Sequence, residues 1–205
     1  IGKEGTHIKG NGDGTVIEIQ SENVTLDTMT ISHSGMNQSS EEEYSGVRVM
    51  EKHTTLKNLN ITDVFHGIYI SRADYTTIVH VHITGQKTKS LAKQGNGIHI
   101  IRSSHNVIEN SFIEKTRDGI YVEHANSNQI NHNKVTEARY GLHYMYSDYN
   151  EFHDNEFIGN IGGAAIMQSD SLLLEGNNFS FNQGSRAFGL IIQTSRDVHV
   201  KHNKF

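Results

Sequence analysis

The 205-residue sequence predicts an all-β fold, a right-handed single-stranded parallel β-helix of about eight coils of 22–30 residues. Three observations predict it. A core triplet, apolar–x–x–(apolar or Asn)–x–apolar, recurs along the chain. A second track, usually opened by Gly, runs in phase with it. Apolar residues alternate in short runs, with no sustained helical period.

The triplet reads Leu26/Met29/Ile31, Leu56/Leu59/Ile61, Ile78/Val81/Ile83 and Val107/Asn110/Phe112 in the first half. It continues as Ile130/Asn133/Val135, Phe152/Asn155/Phe157, Leu174/Asn177/Phe179 and Val200/Asn203/Phe205. Its first positions are separated by 30, 22, 29, 23, 22, 22 and 26 residues. The second track is GVRV at Gly46, GIYI at Gly67, GIHI at Gly97, GIYV at Gly119, GLHY at Gly141, AAIM at Ala164 and GLII at Gly189. A unit this short cannot bury its own apolar face, whereas stacked neighbours bury a continuous core. Eight coils at the inter-strand spacing give a rod of roughly 38 Å.

Residues 1–205 are read as one solenoid domain and as part of a longer chain. The sequence opens on Ile1 without Met, and the coil that Phe205 completes lacks its second track. A coil cut there would leave an open sheet edge. In the second half the middle triplet position becomes a column, Asn110, Asn133, Asn155, Asn177 and Asn203. This is expected to be a structural Asn ladder, each amide bonding to the next coil. The two longest coils carry loops, SGMNQSSEEEYSG with the acidic run Glu41-Glu42-Glu43 and TGQKTKSLAKQGNG with three Lys. Loops inserted on one face of a solenoid often mark a binding side, although a charge run of this kind is more commonly a solvated surface.

Composition removes several function classes. With 18 Lys and Arg against 23 Asp and Glu, the net charge is −5 and no basic patch is available for nucleic acid. No apolar run approaches the length of about 20 residues that a membrane helix needs. Without Cys there is neither a disulfide framework nor a thiolate metal site.

Alternation along the second track sends Ile98, Ile100, Ile120, Val122, Leu142 and Tyr144 inward. The outward face then stacks Tyr69, His99, Tyr121, His143, Ile166 and Ile191, flanked by Ser71, Ile101, Glu123, Met145, Gln168 and Gln193. His143 and Met145 fall about 7 Å apart on one strand, and His99 lies two coils, roughly 9.6 Å, from His143. The expected metal site is His143, Met145, His99, Glu123 and His124, with His80 and His82 as a second choice. Imidazole with thioether suits copper, and Met favours Cu(I). An ordinary solvated sheet surface can also carry such a Tyr/His column. An enzyme on this face would draw on Arg117, Asp118, Tyr121, Arg139 and His143 to bind a uronate and move a proton. The chain has no Pro and therefore no Asp-Pro-His signature of alginate epimerases.

The stretch from Arg117 to Gln193, above all RYGLHYMYS at Arg139–Ser147 followed one coil later by GGAAIMQS, resembles the NosD family. The resemblance implies a non-catalytic extracytoplasmic β-helix protein that supplies copper during maturation of nitrous oxide reductase. It implies as partners an ABC transporter, with its membrane subunit and ATPase, and nitrous oxide reductase or a copper chaperone. The alternative is a carbohydrate-binding or polysaccharide-modifying β-helix of the lyase or epimerase kind. A sugar binder would use Tyr69, Tyr121 and Tyr146 as stacking platforms.

Overall fold

The computed structural model describes residues 2–3, 5–36, 43–86 and 90–205. Of the inserted loops, residues 37–42, which include Glu41 and Glu42, and residues 87–89 lie outside the described residues. The chain is a right-handed parallel β-helix whose paired strands are all parallel. One sheet stacks eight strands strictly in chain order, Ile17–Ile19, Ser45–Val49, His66–Ser71, Ile98–Ile101, Asp118–Glu123, Tyr140–Met145, Gly162–Met167 and Phe188–Gln193. The second sheet divides at the long strand Thr55–Val64 into two arms. One arm continues through Thr77–Val79 and Val107–Glu109, the other through His82–Gly85 and Phe112–Glu114. The coils between Thr77 and Met167 contribute three short strands each around a filled core, whereas Thr25–Ser32 and Thr55–Val64 each span two of these positions in one strand.

The core is a set of stacked aliphatic columns. Ile68, Ile98, Ile120, Leu142 and Ala164 form one, and Ile70, Ile100, Val122, Tyr144 and Ile166 another, all fully buried. β-Branched residues suit these positions because their fixed side chains pack well on a pleated surface. Aromatic rings enter the later coils, with Phe152, Phe157 and Phe179 buried beside Tyr144. The Tyr144 hydroxyl donates to the Ser147 carbonyl and meets the Asn150 amide, so its burial leaves no orphaned polar atom. Corner residues such as Arg72, Arg102, His124 and Tyr146 take the left-handed conformation, one in each coil.

The Gly of the second track sits where two faces approach most closely. A Cβ on Gly119 would lie 2.2 Å from Val135 Cγ1 and 2.7 Å from the Gly141 carbonyl oxygen. Gly119→Ala is therefore expected to cost about 1–3 kcal/mol through overpacking, measured as a lower urea midpoint.

Two coils depart from the sequence register. Ile108 pairs with Ile130 and Ile113 with Val135, so the triplet of that coil is Ile108/Ser111/Ile113. Asn110 is thereby excluded from the ladder. It is an exposed corner residue at φ 51°, a conformation Asn adopts readily. The Ser111 amide instead donates to Asn133 Oδ1, and the ladder runs on through Asn155, Asn177 and Asn203. Each of these amides also reaches back to a carbonyl of the preceding coil, as Asn155 Nδ2 does to Ile130. A second ladder, Asn106–Asn128–Asn150, runs parallel to it. In the other displaced coil Gly163, not Ala164, meets Gly141. Ala165 and Met167 consequently occupy the outward columns, and Ile166 is core while Gln168 turns the corner.

Candidate metal centre

The outward face of the eight-strand sheet carries an alternating ring column. Strand register stacks Tyr69 on His99, His99 on Tyr121 and Tyr121 on His143. Their ring centroids are 4.9, 4.6 and 4.9 Å apart and their planes lie near perpendicular. The residue preceding each Gly forms a second column beside it, with His66, Asn96, Asp118 and Tyr140 in successive coils. A cleft of about 450 Å³ opens between these columns and the two inserted loops. Among the described residues, a larger groove of about 690 Å³ over Lys115, Glu137 and Phe181 brings no comparable ligand cluster with it.

Glu43, His66 and His99 converge in the cleft, with one ligand atom from each within 4.8 Å of the others. The second inserted loop fixes His66. Gly95 packs so tightly that a Cβ would meet the Phe65 carbonyl oxygen at 2.5 Å. That approach brings the Asn96 backbone N–H to His66 Nδ1 at 2.9 Å. Nδ1 must then accept, so Nε2 carries the proton and donates to Glu43 Oε2 at 2.7 Å. This hydrogen bond outweighs the effect of burial and holds the Glu43 carboxyl below the usual carboxylate range.

His99 is only 8 % exposed, and its Nε2 is buried without a hydrogen-bond partner among the described residues. Burial, then the neighbouring His66, pulls its pKa down to about 3. The ring is held neutral. Asn96 Nδ2 faces Nδ1 at 3.5 Å and can only donate, so Nε2 carries the proton. Nε2 takes a ligand in the other tautomer, with the Asn96 amide turned to present Oδ1. A buried unsatisfied polar atom costs roughly 1–3 kcal/mol, and a metal ion would satisfy it.

Two coils along, a second polar group forms around Asp118, which is 1 % exposed. Arg139 donates to it through Nε at 2.8 Å and through Nη2 at 2.5 Å. His143 Nδ1 donates to Asp118 Oδ2 at 2.9 Å. Burial alone would raise the Asp118 pKa, but the bonds from His143 and Arg139 prevail and hold it below the ordinary value. The Tyr121 hydroxyl bridges onward, to Glu123 Oε2 at 3.1 Å and to Met145 Sδ at 3.8 Å.

The structure therefore divides the residues that the sequence grouped as one site. The Tyr121 ring stands between His99 and His143, so the two imidazoles do not converge on a common ion. Glu123 is tied to Tyr121. His124 occupies a left-handed corner at φ 50° and stacks on Tyr146. His80 turns a corner and His82 stacks on Phe112, both in the other sheet's coil segments and away from the cleft. His143 and Met145 do share a strand face.

Sequence reasoning missed His66 and Glu43. The signal for His66 was its place immediately before a track Gly, matching Asp118 in a later coil. The signal for Glu43 was the inserted acidic loop.

No curated protein sequence matches the chain. Solved structures match it over nearly its whole length at low identity. The enzymatically active domain of tailspike protein 2 from bacteriophage CBA120 gives a TM-score of 0.67 at 11 % identity. The match covers 98 % of this chain and 35 % of that one, so the chain spans about a third of the tailspike domain. Pectate lyase Pel9A gives 0.61 at 13 %, over 98 % of this chain and 69 % of the lyase. The A-module of the mannuronan C-5 epimerase AlgE6 from Azotobacter vinelandii gives 0.61 at 15 %, over 98 % and 67 %. Likeness at this identity shows the β-helix fold alone.

Among the described residues no helix is long and apolar enough to cross a membrane. The donor set of Glu43, His66 and His99 fits a borderline divalent ion or copper, since imidazole nitrogen serves either and His99 Nε2 is buried without a hydrogen-bond partner among the described residues. The family profile described as "Periplasmic copper-binding protein (NosD)" matches residues 79–205, more than half of the sequence, and the chain belongs to the NosD family.

Proposed function

We propose that this protein is a periplasmic copper-holding accessory protein and that Glu43, His66 and His99 bind the ion. The observation that carries the reading is the buried, unpartnered Nε2 of His99 beside a carboxylate–imidazole pair. Because His66 Nδ1 accepts from the Asn96 N–H, copper at Nε2 would displace the proton shared with Glu43 and hold the ring as an imidazolate, so binding releases a proton. The onward role that we propose, supply of copper for maturation of nitrous oxide reductase with an ABC transporter and its ATPase or a copper chaperone as partners, rests on the resemblance of RYGLHYMYS and its neighbouring coils to the family.

The sugar-binding alternative finds less support. Tyr69 and Tyr121 contact imidazoles, and Tyr146 stacks on His124, so none of the three offers a wholly free platform. Arg139, which a uronate would need, is committed to Asp118 and lies over the Tyr140 ring.

Anaerobic titration with Cu(I) against a competing chelator tests the proposal on wild type and on His66→Gln/His99→Gln. The variant is expected to bind one equivalent fewer, and wild type to release a proton that the variant does not. Equal stoichiometry and equal proton release would remove this site.

A further inference from the structure

We propose a second, softer metal site on the same face, formed by His143, Met145 and Met167 and selective for a thiophilic monovalent cation such as Cu(I) or Ag(I). Parallel register places Met145 directly beside Met167 in adjacent coils, at a strand separation of roughly 4.8 Å. Both thioethers are half-buried on the outward face instead of filling the core. Two sulfurs on neighbouring strands can close on one ion. His143 stands two residues before Met145 on the same side of the strand.

The imidazole is prepared for this role. Asp118 receives the Nδ1 proton of His143 at 2.9 Å, which leaves Nε2 as the coordinating atom. No described residue bonds to Nε2. A carboxylate holding one ring nitrogen while the other binds metal is the usual second-shell arrangement of ligating histidines. Here Arg139 in turn locks the carboxylate. The Tyr121 hydroxyl at 3.8 Å from Met145 Sδ draws that side chain towards the cleft and separates the site from His99. Thioether donors favour Cu(I) over Zn or divalent hard ions, unlike the Glu43/His66/His99 set. All three ligands lie within the stretch that the NosD profile matches, whereas Glu43 and His66 precede it.

The proposal depends on the copper reading only for the physiological metal, because its own residues are distinct from the first cluster. Met145→Leu/Met167→Leu tests it, since Leu keeps the volume and leaves the fold intact. X-ray absorption of wild type loaded anaerobically with Cu(I) should show sulfur as well as nitrogen and oxygen scattering, and the variant nitrogen and oxygen alone. Titration with Ag(I), which needs no reducing conditions, should show the variant weakened about tenfold or more, while His66→Gln/His99→Gln retains the sulfur-ligated ion. Sulfur-free spectra in wild type, or unchanged Ag(I) binding in the Met variant, would overturn the site even if the first cluster holds copper.

Discussion

Asn155→Ala is expected to lower folding stability by about 3–5 kcal/mol, since each buried polar group left unpaired costs about 1–3. Asn155 is 1 % exposed and stands in the middle of the ladder. Its Oδ1 accepts from both the backbone N–H and the side-chain amide of Asn133. Its Nδ2 donates to the Ile130 carbonyl and to Asn177 Oδ1. Truncation therefore orphans the Asn133 N–H in a dry interior, strips the Ile130 carbonyl of one of its donors and leaves a void as well. Asn110→Gly supplies the contrast. That residue only turns an exposed corner at φ 51°, which Gly adopts freely, so its change should stay within about 0.5 kcal/mol. Urea unfolding of the two variants separates the ladder from its neighbour in sequence.

Asp118→Ala is expected to cost a similar amount, about 3–5 kcal/mol, because it removes one side of a buried ion pair. Arg139 and His143 would both lose the carboxylate that holds them. The pH dependence carries its own sign. The Asp118 pKa is lowered in the folded protein, so its contribution is fully present above the ordinary carboxylate pKa, near 3.9, and is lost as pH falls below it. The stability gap between wild type and variant should accordingly be constant at neutral pH and shrink in acid. Urea midpoints measured at pH 7 and near pH 3 check this. The same substitution bears on the second metal site, where loss of the carboxylate should weaken soft-metal binding about 10–100-fold.

The repeat made the solenoid legible, because two tracks in phase leave few other ways to bury Ile98, Ile120 and Leu142 together. Register was less legible where two readings of a short run are equally apolar. Val107 and Ile108 both suit a core position, and only the neighbouring coil decides between them. The AAIM run was displaced for the same reason, since a solenoid accepts Ala or Gly at the close approach and the sequence offers both.

The metal face was legible as a column but not as a site. Strand alternation found His99, His143 and Met145, yet it could not show that the Tyr121 ring would divide them. Glu43 and Asn96 reach the cleft from loops whose path no periodicity encodes, and His66 depends on a backbone contact that Gly95 permits.

Anomalous diffraction at the copper edge from crystals of the copper-loaded protein tests the central claim most directly. A peak within bonding distance of the His66 and His99 imidazoles and the Glu43 carboxylate is the expected result. Copper absent from that cleft at full loading, or bound only at the exposed corner histidines, would contradict it.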